Sequence, residues 1–293
     1  MDQPLTIKID EVTFQLKKPH PLEWLPAWGK VFAVFDKQDS GNLSFGVEKD
    51  GVRRFIKYAG AATTEFEGEP ADAILRLKQA VQVYEDLDHP SLVRLLSHFE
   101  AGPGYAAVFE WFDGESLHPH WAFPPPAKYE DPRSPFYRYR RLPLKKRLAS
   151  YRAILDFHVH VEEKGYIAVD FYDGSVLYDF ATDTTKICDI DLYQKGPFEN
   201  RMGRLWGSSR FMSPEEFEYG AAIDGVTNVY NMGATAFFIF GGELDRSYDQ
   251  WDAGRFLYDI ALKAVHAERA GRYASVADFA SAWDKALQEP DGG

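Results

Sequence analysis

Apolar and polar positions alternate over 6-TIKIDEVTFQL-16, which predicts a strand or hairpin near the start of the chain. Three further runs, 30-KVFAVFD-36, 43-LSFGVEKDG-51 and 52-VRRFIKYAG-60, keep this two-residue period. Gly- and Asp-containing stretches such as 37-KQDSGN-42 separate them, so they predict an antiparallel meander. The period then lengthens. Ile74, Leu77, Val81 and Tyr84 recur at helical spacing, and a helix over 70–87 would bury that single stripe. Pro90 disfavours helical backbone at His89 and ends it. Strand-like runs return at 92-LVRLLSHFEA-101 and 104-GYAAVFEWF-112.

Periodicity lapses in 118-HPHWAFPPPAKYEDPRSPFYRYRRL-142, a stretch of prolines, aromatics and charges too aromatic for a simple flexible linker. Helical patterns dominate afterwards, over 143–164, 215–219, 227–241, 249–269 and 275–288. The expected class is α+β. Its parts are a strand or hairpin extension (1–29), an antiparallel β-rich lobe with a hinge (30–112), an irregular inter-lobe connection (113–142), a mainly helical lobe (143–288) and a frayed tail (289–293).

With 293 residues the chain has the length for one large domain or two lobes. Hydrophobic content of 45% and aromatic content of 15% predict a folded protein. The acidic excess, 45 Asp and Glu against 33 Lys and Arg, argues against nucleic-acid partners and against docking on an anionic membrane. Cys188 is the single cysteine, which excludes an intramolecular disulfide framework and a multi-cysteine zinc site. The start, MDQPLTIKID, lacks the basic and apolar segments of a secretory signal, and the longest apolar run, 234-ATAFFIF-240, is too short to span a bilayer. A cytoplasmic location is the expectation.

The unusual chemistry lies in 166-YIAVDFYDGSVLYD-179 and 186-KICDIDLY-193, where aspartates are set among apolar residues and aromatics. An unpaired buried carboxylate is costly and persists only where a cation compensates it, so these stretches raise the question whether that cation is a metal ion holding a phosphate. Each residue also has a plainer reading. Lys57 suits a strand surface, Asp170 a turn cap, Asp173-Gly174 an ordinary turn, and Asp189 and Asp191 the solvent side of an edge strand. His158 and His160, two residues apart on a predicted helix, suit solvated or core histidines better than metal ligands.

Taken in order, these motifs resemble the protein kinase-like superfamily over about residues 30–285, and the bacterial serine/threonine kinases most. The resemblance rests on Lys57 in 53-RRFIKYAG-60, on 85-EDLDHPSLVRL-95, 106-AAVFEWFDGESL-117, Asp170, Asp189 and 207-GSSRFMSPEEF-217, with Arg272 placed to pair with Glu215. It implies a two-lobed fold that uses ATP and Mg²⁺ and passes the γ-phosphate to Ser or Thr of a protein. Lys57 would clamp phosphates, Gly41 and Gly46 would belong to a phosphate-covering loop 41-GNLSFGV-47, and the backbone from Glu110 to Phe112 would meet adenine. Asp170 would be the base. Asp189 would hold the metal, with Ser175 or Asp173 as its second ligand.

The departures are specific. Leu43 replaces the middle glycine, Ala80 the helix glutamate, and Ala168-Val169 the histidine-arginine pair before Asp170. Val169 thereby removes the arginine that reads a phosphorylated activation loop. Tyr172 replaces a lysine, Ser175 an asparagine, Asp191 the glycine of the metal-binding triplet, and Asn228 a large-lobe aspartate. Two alternatives stay open. One is a pseudokinase, a nucleotide-binding or scaffold module without transfer. The other is a small-molecule kinase resembling aminoglycoside phosphotransferases, which share the D-x-x-x-G-[NS]-V-L-x-D pattern but lack the S-P-E segment.

Overall fold

A computed structural model describes residues 3–288; the expected tail at 289–293 lies outside the described residues. The chain is a mixed α+β protein with antiparallel sheets, and it divides after Phe112 into two compact units. No helix among the described residues is long and apolar enough to cross a membrane.

The first unit begins with a hairpin of β1 (Leu5–Ile9) and β2 (Val12–Leu16), paired from Leu5↔Leu16 to Ile9↔Val12. A five-stranded antiparallel sheet follows, made of β3 (Lys30–Phe35), β4 (Asn42–Lys49), β5 (Val52–Ala59), β6 (Leu95–Ala101) and β7 (Gly104–Glu110), in the order β3-β4-β5-β7-β6. Alternation along β4 and β5 sends Leu43, Phe45, Val47, Ile56 and Tyr58 to one face, where they share a core with Phe14, Leu16, Leu22 and Leu25. The N-terminal hairpin expected as an extension is therefore the cover of that face. Each large side chain buried there contributes roughly 1.5–3 kcal/mol. Asp10 Oδ2 accepts the Val31 N–H at 2.8 Å and ties the hairpin turn to β3.

Helix α1 (Pro70–Asp86) starts on Pro70, whose ring presets the first helical turn, and buries Ala73, Leu77, Ala80, Val81 and Tyr84. Ile74 is only partly buried, so the buried stripe is rotated slightly from the expected one. Tyr84 meets Phe109 of β7 edge-on at 4.8 Å, which sets α1 on the sheet face opposite the hairpin.

In the second unit, the segment expected to be irregular carries β8 (Glu115–Ser116), α2 (Ala127–Glu130) and α3 (Pro135–Arg140). Pro135 occupies the first turn of α3 behind the Ser134 cap, and Phe136 stacks on Phe238 at 4.9 Å. The aromatics of this segment are thus core residues. Helix α4 (Leu144–Glu163) leads to β9 (Tyr166–Ile167), β10 (Val176–Asp179) and β11 (Thr184–Ile187), with β10 central between β11 and β8. Strands β12 (Gln194–Lys195), β13 (Phe198–Glu199) and β14 (Ala222–Ile223) are two-residue pairings.

Helix α5 (Gly225–Phe240) is the centre of this unit, buried along nearly its whole length and capped by Asp224, whose side chain accepts the Val226 N–H at 2.9 Å. Helices α4, α6 (Arg255–Ala264) and α7 (Val276–Gln288) pack around it. The helix expected over 249–269 is shorter. Trp251 is extended and buried against Phe237 and Phe240, and Gly254, at φ +79°, lets the chain turn before α6 begins.

Candidate functional site

In β5, Lys57 is 7% exposed and faces away from the shared core, between Ser44 of β4 and Ala107 of β7 in the register. Two buried polar atoms share its face without a hydrogen-bond partner among the described residues: Ser44 Oγ, and Asn42 Oδ1 opposite Ala59. An unsatisfied buried hydroxyl or amide costs roughly 1–3 kcal/mol; the Ser44 hydroxyl and the Lys57 ammonium are donors that fit a phosphate oxygen, whereas Asn42 Oδ1 is an acceptor and calls for a donor. Ala80 is wholly buried in α1 and brings no carboxylate.

The loop expected at 41–47 is different. Gly41, at φ +80°, closes the turn after β3, and the chain is strand from Asn42 onward. Gly46 is a mid-strand residue, and a Cβ there would lie 2.8–2.9 Å from the rings of Phe32 and Trp111. Those rings meet edge-on at 4.8 Å, so the missing side chain makes room for an aromatic pair. At Glu110 the N–H donates to Arg94 O at 3.0 Å and Oε1 accepts the Arg94 N–H at 3.1 Å, which binds this residue into the sheet; Phe112 is the last residue of the unit.

In the second unit Asp170 and Asp189 both adopt left-handed backbone, at φ +64° and +56°. Such strain at non-glycine residues clusters at functional sites. Asn228 holds the loop before Asp170: its Oδ1 accepts the Ala168 N–H at 2.9 Å and its Nδ2 donates to Tyr166 O at 3.0 Å. Behind the loop, Phe171 packs on His158 at 4.3 Å, and His158 Nε2 bonds the Tyr193 hydroxyl at 2.9 Å. His158 is therefore a core histidine.

Tyr172 lies over Gly174, where a Cβ would come within 2.3–2.5 Å of its ring and hydroxyl. Burial pushes the phenol well above its ordinary range, and the charges of Asp189, Asp170 and Asp173 push it further. Ser175 is wholly buried, its Oγ finds no partner among the described residues, and its carbonyl accepts the Cys188 N–H at 2.9 Å. That bond sets Ser175 beside the residue preceding Asp189. A carboxylate and an orphaned hydroxyl are hard oxygen donors, so this pair fits Mg²⁺.

Asp173 does not fit a metal. Its Oδ1 accepts Arg210 Nη2 at 2.7 Å, and its Oδ2 accepts Arg210 Nη1 at 2.9 Å and Lys128 Nζ at 2.5 Å. Burial raises this carboxyl, but the nearby His118 ring, the hydrogen bonds from Arg210 and the charge of Lys128 outweigh it, and Asp173 stays well below the usual carboxylate range. Of the two second ligands expected for the metal, Asp173 is taken up by Arg210 and Lys128, and Ser175 keeps an orphaned hydroxyl.

The S-P-E turn is fixed by charge. Arg272 meets Glu215 through two bonds of 2.7 and 2.9 Å, and Arg269 adds a third at 2.7 Å. Burial raises Glu215, and Arg272 reverses that and brings it below its ordinary value. The neighbouring Glu216 accepts the Ser213 N–H at 2.6 Å and hydroxyl at 2.9 Å, yet burial pushes it up to about 7. Lys128, Arg210 and Glu243 escaped the sequence reading; only Arg210, inside the S-P-E motif, carried any signal.

No protein-family model matches the chain. Over 176 residues, 58% of the chain, it is 23% identical to "Serine/threonine-protein kinase pkn2" of Myxococcus xanthus. The alignment spans 19% of that protein's length. The likeness is a distant, kinase-like relationship.

Proposed function

We propose that the chain is an ATP- and Mg²⁺-dependent phosphotransferase of the protein kinase-like type, acting in the cytoplasm on Ser or Thr of a protein. The observation that carries this reading is in the second unit: Asp170 and Asp189 both take left-handed backbone, and the Cys188 N–H bond to Ser175 O sets an orphaned Ser175 hydroxyl beside the Asp189 stretch. Asp170 orients the acceptor hydroxyl and takes its proton as that oxygen bonds to the γ-phosphorus. The bond from the γ-phosphorus to the bridging oxygen breaks, and ADP leaves. Asp189 and Ser175 would hold Mg²⁺, which supplies neutralising charge at the phosphates. Lys57 clamps phosphate on its face of the sheet, where the Ser44 hydroxyl offers a further donor.

A pseudokinase is favoured by one observation, the aromatic pair Phe32 and Trp111 over Gly46. Thermal shift with ATP, with and without Mg²⁺, followed by γ-labelled ATP and a general protein substrate, separates the two. Transfer supports the first reading; Mg²⁺-dependent stabilisation without transfer supports the second. No stabilisation under any condition rejects both. Asp170→Asn is expected to abolish transfer and retain ATP-induced stabilisation, and transfer by that variant would refute the assignment of Asp170.

A further inference from the structure

The chain buries a charge cluster that neither the candidate catalytic set nor the S-P-E ion pair uses. Lys128 and Asp173 have wholly buried side chains, and Arg210 and Glu243 are 18% and 12% exposed. Arg210 forks onto Asp173 and also reaches Glu243 Oε2 at 2.9 Å, while Lys128 lies 3.7 Å from Glu243 Oε1. His118 Nδ1 stands 3.5 Å from Asp173 Oδ2. Two cations thus meet two carboxylates. The Lys128 ammonium also lies against the rings of Phe136, Tyr129 and Phe238 at 4.5, 5.0 and 5.3 Å, a setting that suits a desolvated cation.

The members come from separate stretches. Asp173 lies three residues after Asp170 and two before Ser175, Arg210 follows Ser208 and Ser209 in the segment before the S-P-E turn, and Lys128 is on α2. A second contact supports the same segment from another side. Val169, at the position where the resemblance expects a phosphate-reading arginine, shares an apolar cluster with Leu205 and Met212. Phe211 is buried against Phe238, and its carbonyl accepts Asn231 Nδ2 at 2.8 Å.

We propose that Arg210 and Lys128, through Asp173, are positioning residues that hold segment 205–213 and the loop carrying Asp170 and Ser175 in one arrangement, without a phosphate on Ser208 or Ser209. Arg210 beside those serines is already taken by two carboxylates, and Val169 offers a phosphate nothing. The ordering stands on the contacts alone; only its consequence for turnover rests on the phosphotransferase reading.

Hydrogen exchange on the full chain, with intact mass showing no phosphate, decides the matter. Ser208→Ala with Ser209→Ala is expected to keep wild-type protection over 205–213. Arg210→Gln is expected to exchange at least about tenfold faster over 205–213 and 171–175, with α5 unchanged. Arg210→Lys should fall between, since lysine keeps the charge and loses the fork. Should Arg210→Gln also lose protection in α5, Arg210→Gln with Glu243→Gln removes one cation and one carboxylate together, and the same local loosening is expected. Unchanged protection in the arginine variants, or loss of protection in the serine double variant, overturns the proposal. If the wild type transfers phosphate, Arg210→Gln should lower kcat about tenfold and leave the KM for ATP within about twofold; an unchanged kcat overturns the positioning role. If it transfers none, the phosphotransferase reading fails, and exchange alone decides the ordering.

Discussion

Replacing Glu215 by Gln strips the negative charge from a site where the Arg272 side chain is wholly buried and that of Arg269 is 33% exposed. Breaking a buried ion pair by removing one partner costs about 3–5 kcal/mol, because the other charge is left uncompensated. Arg272 also donates to the carbonyls of His266 at 2.8 Å and Ala267 at 3.1 Å, which soften the loss and set the expectation near the lower end, about 3 kcal/mol. Arg269 supplies an internal control. It is more exposed; in Arg269→Gln Glu215 keeps Arg272, and Asp224, whose side chain is 34% exposed, exchanges its arginine for water, so the expected cost is about 1 kcal/mol. Urea denaturation followed by far-UV circular dichroism measures both. With a slope of about 3 kcal/mol/M, Glu215→Gln should lower the midpoint by about 1 M and Arg269→Gln by about a third of that. Equal shifts in the two variants, or a shift below about 0.3 M for Glu215→Gln, would refute the reasoning.

Three further outcomes can be checked. Glu216 is pushed up to about 7 from 4.5 by burial, so the folded chain binds its proton more tightly than the unfolded chain does. Its contribution is therefore fully present below about pH 4.5 and is lost as pH rises through about 7, at up to roughly 1.4 kcal/mol per pH unit. Glu216→Gln should flatten the stability profile in that window and stabilise the chain at pH 8, and an unchanged profile would count against the shift. Asn228→Leu removes the acceptor of the Ala168 N–H and a donor to the Tyr166 carbonyl, and should lower the urea stability by about 2–4 kcal/mol. Ser175→Ala should raise at least severalfold the Mg²⁺ concentration needed for ATP-induced stabilisation; the wild-type midpoint would remove Ser175 from the metal site.

Elements whose cause is local were legible in the sequence. Alternation over β1 to β5 and the helical period of α1 depend on residues within a few positions, and these elements form where the pattern implies them, with the α1 stripe turned slightly away from Ile74. The amide of Asn228, standing where the resemblance expects an aspartate, still bonds the backbone before Asp170. The failures arise where the cause is distant. Gly46 reads as a loop glycine until Phe32 and Trp111 are seen above it. Asp173 reads as a turn residue or a metal ligand because Lys128 and Arg210 lie 45 and 37 residues away in the chain. Prolines and aromatics without a period suggested an irregular stretch over 113–142, yet they fill the contacts of α2 and α3 with α5.

The two buried charge groups act on one short piece of chain, with Arg210 and Glu215 five residues apart. Neither group adds much net stability relative to well-packed apolar residues of similar size, since desolvation offsets most of the attraction. Their effect is on the alternatives. If the segment shifted, Arg210 would leave Asp173 facing Lys128 alone, and Glu215 would leave Arg272 buried without a counter-charge. Each displacement carries a penalty of several kcal/mol that an apolar contact, able to slide, would not impose. Opposite signs at the two ends sharpen this, because a cation must return to Asp173 and an anion to Arg272. The segment is therefore fixed in register as well as in position, and the loop with Asp170 and Ser175 is fixed with it through Asp173.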